Sequence, residues 1–167
     1  PGARVEGNLI WGTRYHITLA ESPGAVVKNN TVSWGQVFSI YVTGRHEGTR
    51  ITNNIFYFPT SVPNAALAIS WADRNINLES DYNCWGPMVD KTHVAYVYHT
   101  SVNDLGPQGP SLAQWQADSG LDTHSIQADP MFADPRQGNF TLLPGSPCIG
   151  AGEGGVNMGA LDPLILT

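Results

Sequence analysis

An all-β fold of stacked coils, a parallel β-helix, is predicted by three features of this 167-residue sequence. Charged residues make up 13%, while there are 18 glycines, 12 prolines and 12 asparagines. Ordinary soluble domains carry about 25% charged residues, so long charged helices are disfavoured. Gly and Asn accept the positive φ that tight turns require. The second feature is a short pattern that recurs at nearly constant spacing, and the third is alternation of apolar residues within each copy.

The copies are Val5-Glu6-Gly7-Asn8-Leu9-Ile10, Val27-Lys28-Asn29-Asn30-Thr31-Val32 and Ile51-Thr52-Asn53-Asn54-Ile55-Phe56. Each is followed by a second short strand, carrying Ile17 and Leu19, then Ile40 and Val42, then Leu67 and Ile69. Alternation over four to six residues means a strand with one buried face. A period of 20–30 residues holding two or three strands and no helix is one coil of a solenoid. Strands in successive coils then pair about 4.8 Å apart. The columns Val5/Val27/Ile51, Ile10/Val32/Phe56, Ile17/Ile40/Leu67 and Leu19/Val42/Ile69 fall inside, and Asn8, Asn30 and Asn54 stack at a corner in a structural role. A weaker fourth copy, Leu78-Glu79-Ser80-Asp81-Tyr82-Asn83, puts Asp81 at the asparagine station. Three to four coils are expected over residues 1–85.

Residues 86–110 hold three Gly-Pro pairings and the strand-like His93–Tyr98, and read as an excursion. Residues 111–167 read as a cap within the same domain. Ser111 with Gln114 three positions on is a capping box, which predicts a helix from Ser111 to about Asp118, ended near Gly120. Leu112 and Trp115 share one face of it and cover the last coil. A terminal strand is expected over 140–149. No cap is legible at the other end. Val5 already belongs to a coil, so upstream coils or a second chain are expected to cover that end. Beginning at Pro1 rather than Met, the chain reads as a processed product or a fragment.

The net charge of −6 argues against nucleic acid, which is bound through clustered cations. Cations concentrate before residue 75, so an anionic ligand is expected to prefer the first half. No apolar run approaches the roughly 20 residues of a membrane span.

With the repeats and the segments Ser80-Asp81-Tyr82-Asn83, Ser111–Gln116, Asp129-Pro130-Met131-Phe132 and Phe140–Pro147 with Ile149-Gly150-Ala151-Gly152, the chain resembles the right-handed parallel β-helix proteins of the pectate-lyase-like superfamily. Residues 80–152 are similar to the closing segment of secreted bacterial β-helix carbohydrate enzymes. The resemblance implies a C-terminal part of a secreted, periplasmic or cell-surface protein acting on polysaccharide or oligosaccharide, as a lyase or glycoside hydrolase. The alternative is a non-catalytic binding or structural β-helix module of a tailspike, fibre or adhesin. It allows a Ca2+ ion, for which no ligand set is identified, and otherwise implies no cofactor. Cys84 and Cys148 fall where the resembling pattern carries aliphatic residues. They read as buried small hydrophobes, or alternatively as a disulfide between cap and last coil, and their spacing excludes a zinc site.

Candidate site residues follow from the outward positions. If Ile17 and Leu19 face in, His16 and Thr18 face out beside Ser39 and Tyr41 of the next coil. Arg45-His46-Glu47 and Trp71-Ala72-Asp73-Arg74 leave equivalent strands, and with Arg14 they are expected to converge into one groove. There Arg45 and Arg74 would bind a uronate carboxylate, Trp71 and Tyr41 would stack on sugar rings, and Arg14 would join them in binding substrate. His16 or His46 would transfer protons, with a pKa that Glu47 could raise, and Glu47 and Asp73 are the only carboxylates at hand for hydrolysis. The competing reading is that these are solvated turn residues, and that the cleft lies on other coils. His93, His99 and His124 read as surface or locally bonded imidazoles.

Overall fold

The structure, a computed structural model, describes residues 2–12, 15–33, 38–57, 67–70, 77–86, 95–98 and 111–160, with backbone alone for 15, 38, 67–70 and 95–98. Among the described residues it is mostly β, with one short α-helix. Successive strands go in rotation to three parallel sheets. The first sheet joins β1 (Arg4–Glu6), β4 (Val26–Lys28), β7 (Thr49–Thr52) and β10 (Leu78–Asp81) in that order. The second joins β2 (Leu9–Trp11), β5 (Thr31–Ser33), β8 (Ile55–Tyr57), β11 (Cys84–Trp85) and β13 (Ile126–Gln127). The third joins β3 (Tyr15–Ala20), β6 (Phe38–Thr43), β9 (Leu67–Ser70) and β12 (Ala95–Tyr98).

All four expected columns are in register: Val5 pairs with Val27 and Val27 with Ile51, Ile10 with Val32 and Val32 with Phe56. Ile17 pairs with Ile40 and Ile40 with Leu67, Leu19 with Val42 and Val42 with Ile69. Their described side chains build one core between the sheets, continued at the fourth level by Trp85, which stacks on Phe56 at 4.6 Å. Burying each such side chain contributes about 1.5–3 kcal/mol. The stretch expected to be an excursion is partly in the stack, because β12 pairs residue for residue with β9. Its alternating Ala-Tyr-Val-Tyr sets Val97 beside Ile69, and the flanking Gly-Pro pairs had masked that continuity.

Asn8, Asn30 and Asn54 stack as expected. The backbone N–H and the side-chain amide of Asn8 both donate to Oδ1 of Asn30 at 3.0 Å, and Asn30 does the same to Asn54 at 3.0 and 2.9 Å. The next rung is Asn83, not Asp81: Asn54 donates twice to its Oδ1 at 3.0 Å. The expected alignment was two residues out, since Ser80 pairs with Ile51 and Asp81 with Thr52. A serine at an inward station had hidden the register. The residue before each rung has left-handed backbone, Gly7, Asn29, Asn53 and Tyr82 with φ of 68°, 53°, 59° and 55°. Gly and Asn adopt that region readily and Tyr only rarely. At Tyr82 the backbone N–H donates to Asp81 Oδ1 at 2.9 Å, which helps hold the turn.

The ladder ends at the fifth level. Asn83 N–H donates to Ser125 Oγ at 2.8 Å. The fully buried Asp122 accepts from Asn83, Ser80, Ser125 and Trp115 Nε1. Four donors compensate the loss of water around that carboxylate. Helix α1 (Leu112–Ser119) forms as its sequence predicts, with Ser111 Oγ accepting from Gln114 N–H and Gly120 left-handed at φ 71°. Its buried Leu112 and Trp115 join the interior core. The Gln114 side chain bonds Asp118 at 2.7 Å instead of completing the box.

A second core lies on the outer face of the second sheet. The antiparallel hairpin of β14 (Phe132–Asp134) and β15 (Asn139–Leu142) packs there, so the terminal strand is shorter than expected and has a partner. Edge-to-face rings run Tyr57, Phe132, Phe140, Trp11, reaching back to the first repeat. The tail beyond Cys148 continues along the stack. Glu153 N–H donates to Asn53 Oδ1, Asn29 Nδ2 donates to the carbonyls of Asn157 and Gly159, and Ala160 N–H donates to Thr31 Oγ1.

Candidate functional site

Because Ile17, Leu19, Ile40 and Val42 are in the interior core, alternation puts His16, Thr18, Ser39 and Tyr41 on the outer face of the third sheet. Thr18 is in register with Tyr41, and Tyr41 with Ala68. His16 occupies the neighbouring row, beside Ser39. Thr18 is exposed, His16 and Tyr41 are half-buried, and Ser39 is buried.

The turn after β6 carries the next three candidates and divides them. Arg45 and Glu47 are exposed, whereas His46 is fully buried. His46 Nε2 lies 2.8 Å from the Thr43 carbonyl, and Thr49 N–H donates to the His46 carbonyl at 2.9 Å. This corrects the expectation that His46 stands on the groove surface: its imidazole fills the turn. The turn rests on that of the preceding repeat, with Gly24 N–H donating to the Glu47 carbonyl and Thr49 Oγ1 to Ser22 O. Arg45 N–H donates to Glu21 Oε2 at 3.3 Å. A Cβ on Gly44 would run into that carboxylate, so the glycine lets it approach. Sequence reasoning had passed over Glu21, an isolated acid at a strand end. Of the nine candidates, His16, Tyr41, Arg45, His46 and Glu47 share this sheet and its turn, and Arg14, Trp71, Asp73 and Arg74 lie outside the described residues.

A second polar site lies on the outer face of the first sheet, where sequence reasoning placed none. Register lines up Arg50 with Glu79, and Lys28 with Thr52 and Asp81. Arg50 pairs with Glu79 at 2.7 Å and with Glu153 of the tail at 2.9 Å, and those bonds raise its already high pKa. These residues, with Tyr82 and Asp81, line an open cleft of about 290 Å³. At its edge His124 stacks on Tyr82 at 4.7 Å with an interplanar angle of 4°. His124 Nδ1 lies 2.7 Å from Asp81 Oδ2, and His124 N–H donates to Asp81 Oδ1 at 2.7 Å. Partial burial alone would raise the Asp81 pKa. The bonds from His124 and from the Tyr82 N–H outweigh it and hold the carboxyl below its ordinary range. The signal that could have found this site is the column Arg50/Glu79, visible once the fourth repeat is aligned on Asn83.

Among the described residues, no group of three or more His, Cys, Asp or Glu side chains is placed to hold a metal ion. Glu79 and Glu153 each give one oxygen to Arg50, and the second Glu153 oxygen lies 3.7 Å from Lys28 Nζ. No helix among the described residues is long and apolar enough to cross a membrane. Comparison of the chain with family models, with curated proteins and with solved structures finds no match.

Proposed function

We propose that the three-sheet stack is a right-handed parallel β-helix, and that the chain is the C-terminal part of a secreted or cell-surface protein that acts on polysaccharide. The observation that carries this reading is the combination of three in-register parallel sheets with a continuous asparagine ladder. That arrangement gives equivalent outward stations at every level, suited to a repeating ligand. The groove would run over the third sheet, where Tyr41 offers an aromatic face and Arg45 a cation for a uronate carboxylate. Both expected proton carriers are shielded, His46 being fully buried and both ring nitrogens of His16 lying out of reach of solvent, so proton transfer in that groove would need a further residue or an opening of this face. Further coils, or a second chain, would cover the edges of β1, β2 and β3.

One observation favours the binding or structural alternative. Glu79, Glu153 and Asp81 are each engaged by a cationic or imidazole partner, and Glu21 accepts a backbone N–H. The test incubates this chain and the full-length protein with uronate-containing and neutral polysaccharides. Unsaturated products read by ultraviolet absorbance mark a lyase, and new reducing ends without them a hydrolase. Retained binding with no product would establish the alternative, and no binding to any polymer would overturn the proposal.

A further inference from the structure

We propose that Cys84 and Cys148 form an intramolecular disulfide that fastens the C-terminal tail to the second sheet when the chain folds in an oxidising medium. Alternation along β11 places the first partner. Trp85 stacks on Phe56 inside the interior core, so Cys84 points to the opposite face. There it joins Ile55, Phe132, Phe140 and Met158 in the outer core, and Cys148 belongs to the same cluster. Both thiols are free and fully buried.

Backbone bonds fix the second partner. Met158 N–H donates to the Cys148 carbonyl at 2.9 Å, and the next residue, Gly159, donates to Asn53 O at 2.7 Å. Cys84 N–H donates to Asn54 O at 2.8 Å. Cys84 is thus tied directly to Asn54, and Cys148 to the adjacent Asn53 through Met158 and Gly159. Both side chains lie in one buried cluster, where Cys84 Sγ donates to the Ala128 carbonyl at 3.5 Å and the Cys148 thiol is close enough to perturb it. A Cβ on Gly159 would strike the Ile55 and Thr31 side chains, so the tail seats closely enough to keep that approach.

The oxidant is a small disulfide such as glutathione disulfide. One cysteine thiolate attacks a glutathione sulfur and releases one glutathione thiolate. The second cysteine thiolate then attacks the protein sulfur of the mixed disulfide and releases the other. Two electrons pass to glutathione, and the two cysteine protons end on its thiols. The neighbouring Cys148 thiol and burial push the Cys84 pKa far up, and complete burial shuts both thiols off from glutathione disulfide, so the docked pair does not react. The bond therefore closes while residues 148–160 are off the sheet, during folding or local opening. It would close a loop 64 residues long containing β12, α1, β13 and the hairpin.

The test refolds the chain in a buffer of reduced and oxidised glutathione, blocks free thiols with iodoacetamide, and maps peptides without reduction. The expected result is a Cys84–Cys148 linked peptide in monomeric protein. Its Tm should lie roughly 10 °C above that of the same protein with reductant. Natively folded reduced chain should close the bond at least about tenfold more slowly than refolding chain. Cys148→Ser should melt at one temperature with or without reductant. Quantitative alkylation of both cysteines after refolding, or links only between chains, would overturn the disulfide. A linked peptide with unchanged Tm would overturn its fastening role.

Discussion

The two ends of the stack are built from the same repeat and differ in almost every physical respect. At the first level β1, β2 and β3 are edge strands, Val5 and Ile10 are only partly buried, and Trp11 is 45% exposed. At the last level α1 lays Leu112 and Trp115 over the core, and Trp115 is 3% exposed. The ladder shows the same contrast. Asn8 is exposed and donates onward, whereas Asn83 is fully buried and passes into Ser125 and Asp122. A residue in a repeat stack takes its energetic weight from the neighbour it is given. Identical residue types at the two ends therefore have different effects when removed.

The tryptophans give the largest expected difference. Trp115→Ala opens a cavity beneath the helix and removes one of the four donors to a buried carboxylate, so it should cost about 3–5 kcal/mol. Trp11→Ala loses one exposed edge-to-face contact with Phe140 and should cost about 1 kcal/mol. Urea melts of both variants check this. Equal losses would mean that the first level is as well covered as the last.

The ladder gives the next difference. Asn54→Ala leaves the backbone and side-chain amides of Asn30 without their buried acceptor, takes one of its two donors from Asn83 Oδ1, and removes the donor to two backbone carbonyls. A loss of about 2–4 kcal/mol is expected. Asn8→Ala removes the same side chain where water replaces it, and should cost under about 1 kcal/mol. Denaturant midpoints of the pair test whether the ladder gains strength with depth. If the full-length protein supplies a preceding coil, the Asn8→Ala loss measured there should rise toward that of Asn54→Ala.

What was legible in the sequence divides along the same line. Apolar columns and ladder asparagines repeat at fixed stations, and periodicity alone located all three sheet registers in the first three repeats. The capped end uses each device once. Asp122 has no counterpart in other repeats, Cys148 and Met158 return from far along the chain, and the hairpin covers a sheet face that local pattern assigns to solvent. Ser80 at an apolar station shifted the fourth copy by two residues and so hid both Asn83 and the Arg50/Glu79 column. In the candidate groove, alternation placed His16 and Tyr41, but it could not show that the turn folds His46 inward. That depends on a carbonyl three residues away and on the turn beneath it.

The smallest expected difference lies in the exposed acid pairs on the first sheet. Glu6 pairs with Arg4 within one edge strand, both of them exposed. Asp81 reaches from the fourth level to His124 beside the last strand of the second sheet. The Asp81 carboxyl titrates below its ordinary value in the folded chain, so its charged form is favoured by folding. Its contribution is complete above the unfolded carboxylate pKa, near 3.8, and is lost as pH falls through the lower folded value. Solvent screens the pair, which limits the effect to under about 1 kcal/mol. Asp81→Asn keeps an amide oxygen for the Tyr82 and His124 N–H groups but removes the charge and the oxygen that faces His124 Nδ1, so it should lower Tm slightly at pH 7 and by progressively less as the wild type is acidified. Glu6→Gln, with its pair inside a single exposed strand, should leave the whole Tm–pH curve within error of wild type. Thermal melts from pH 2 to 7 on the two variants check this. A Glu6→Gln curve that converges on wild type in acid as the Asp81→Asn curve does would show that the open end is braced by charge as well.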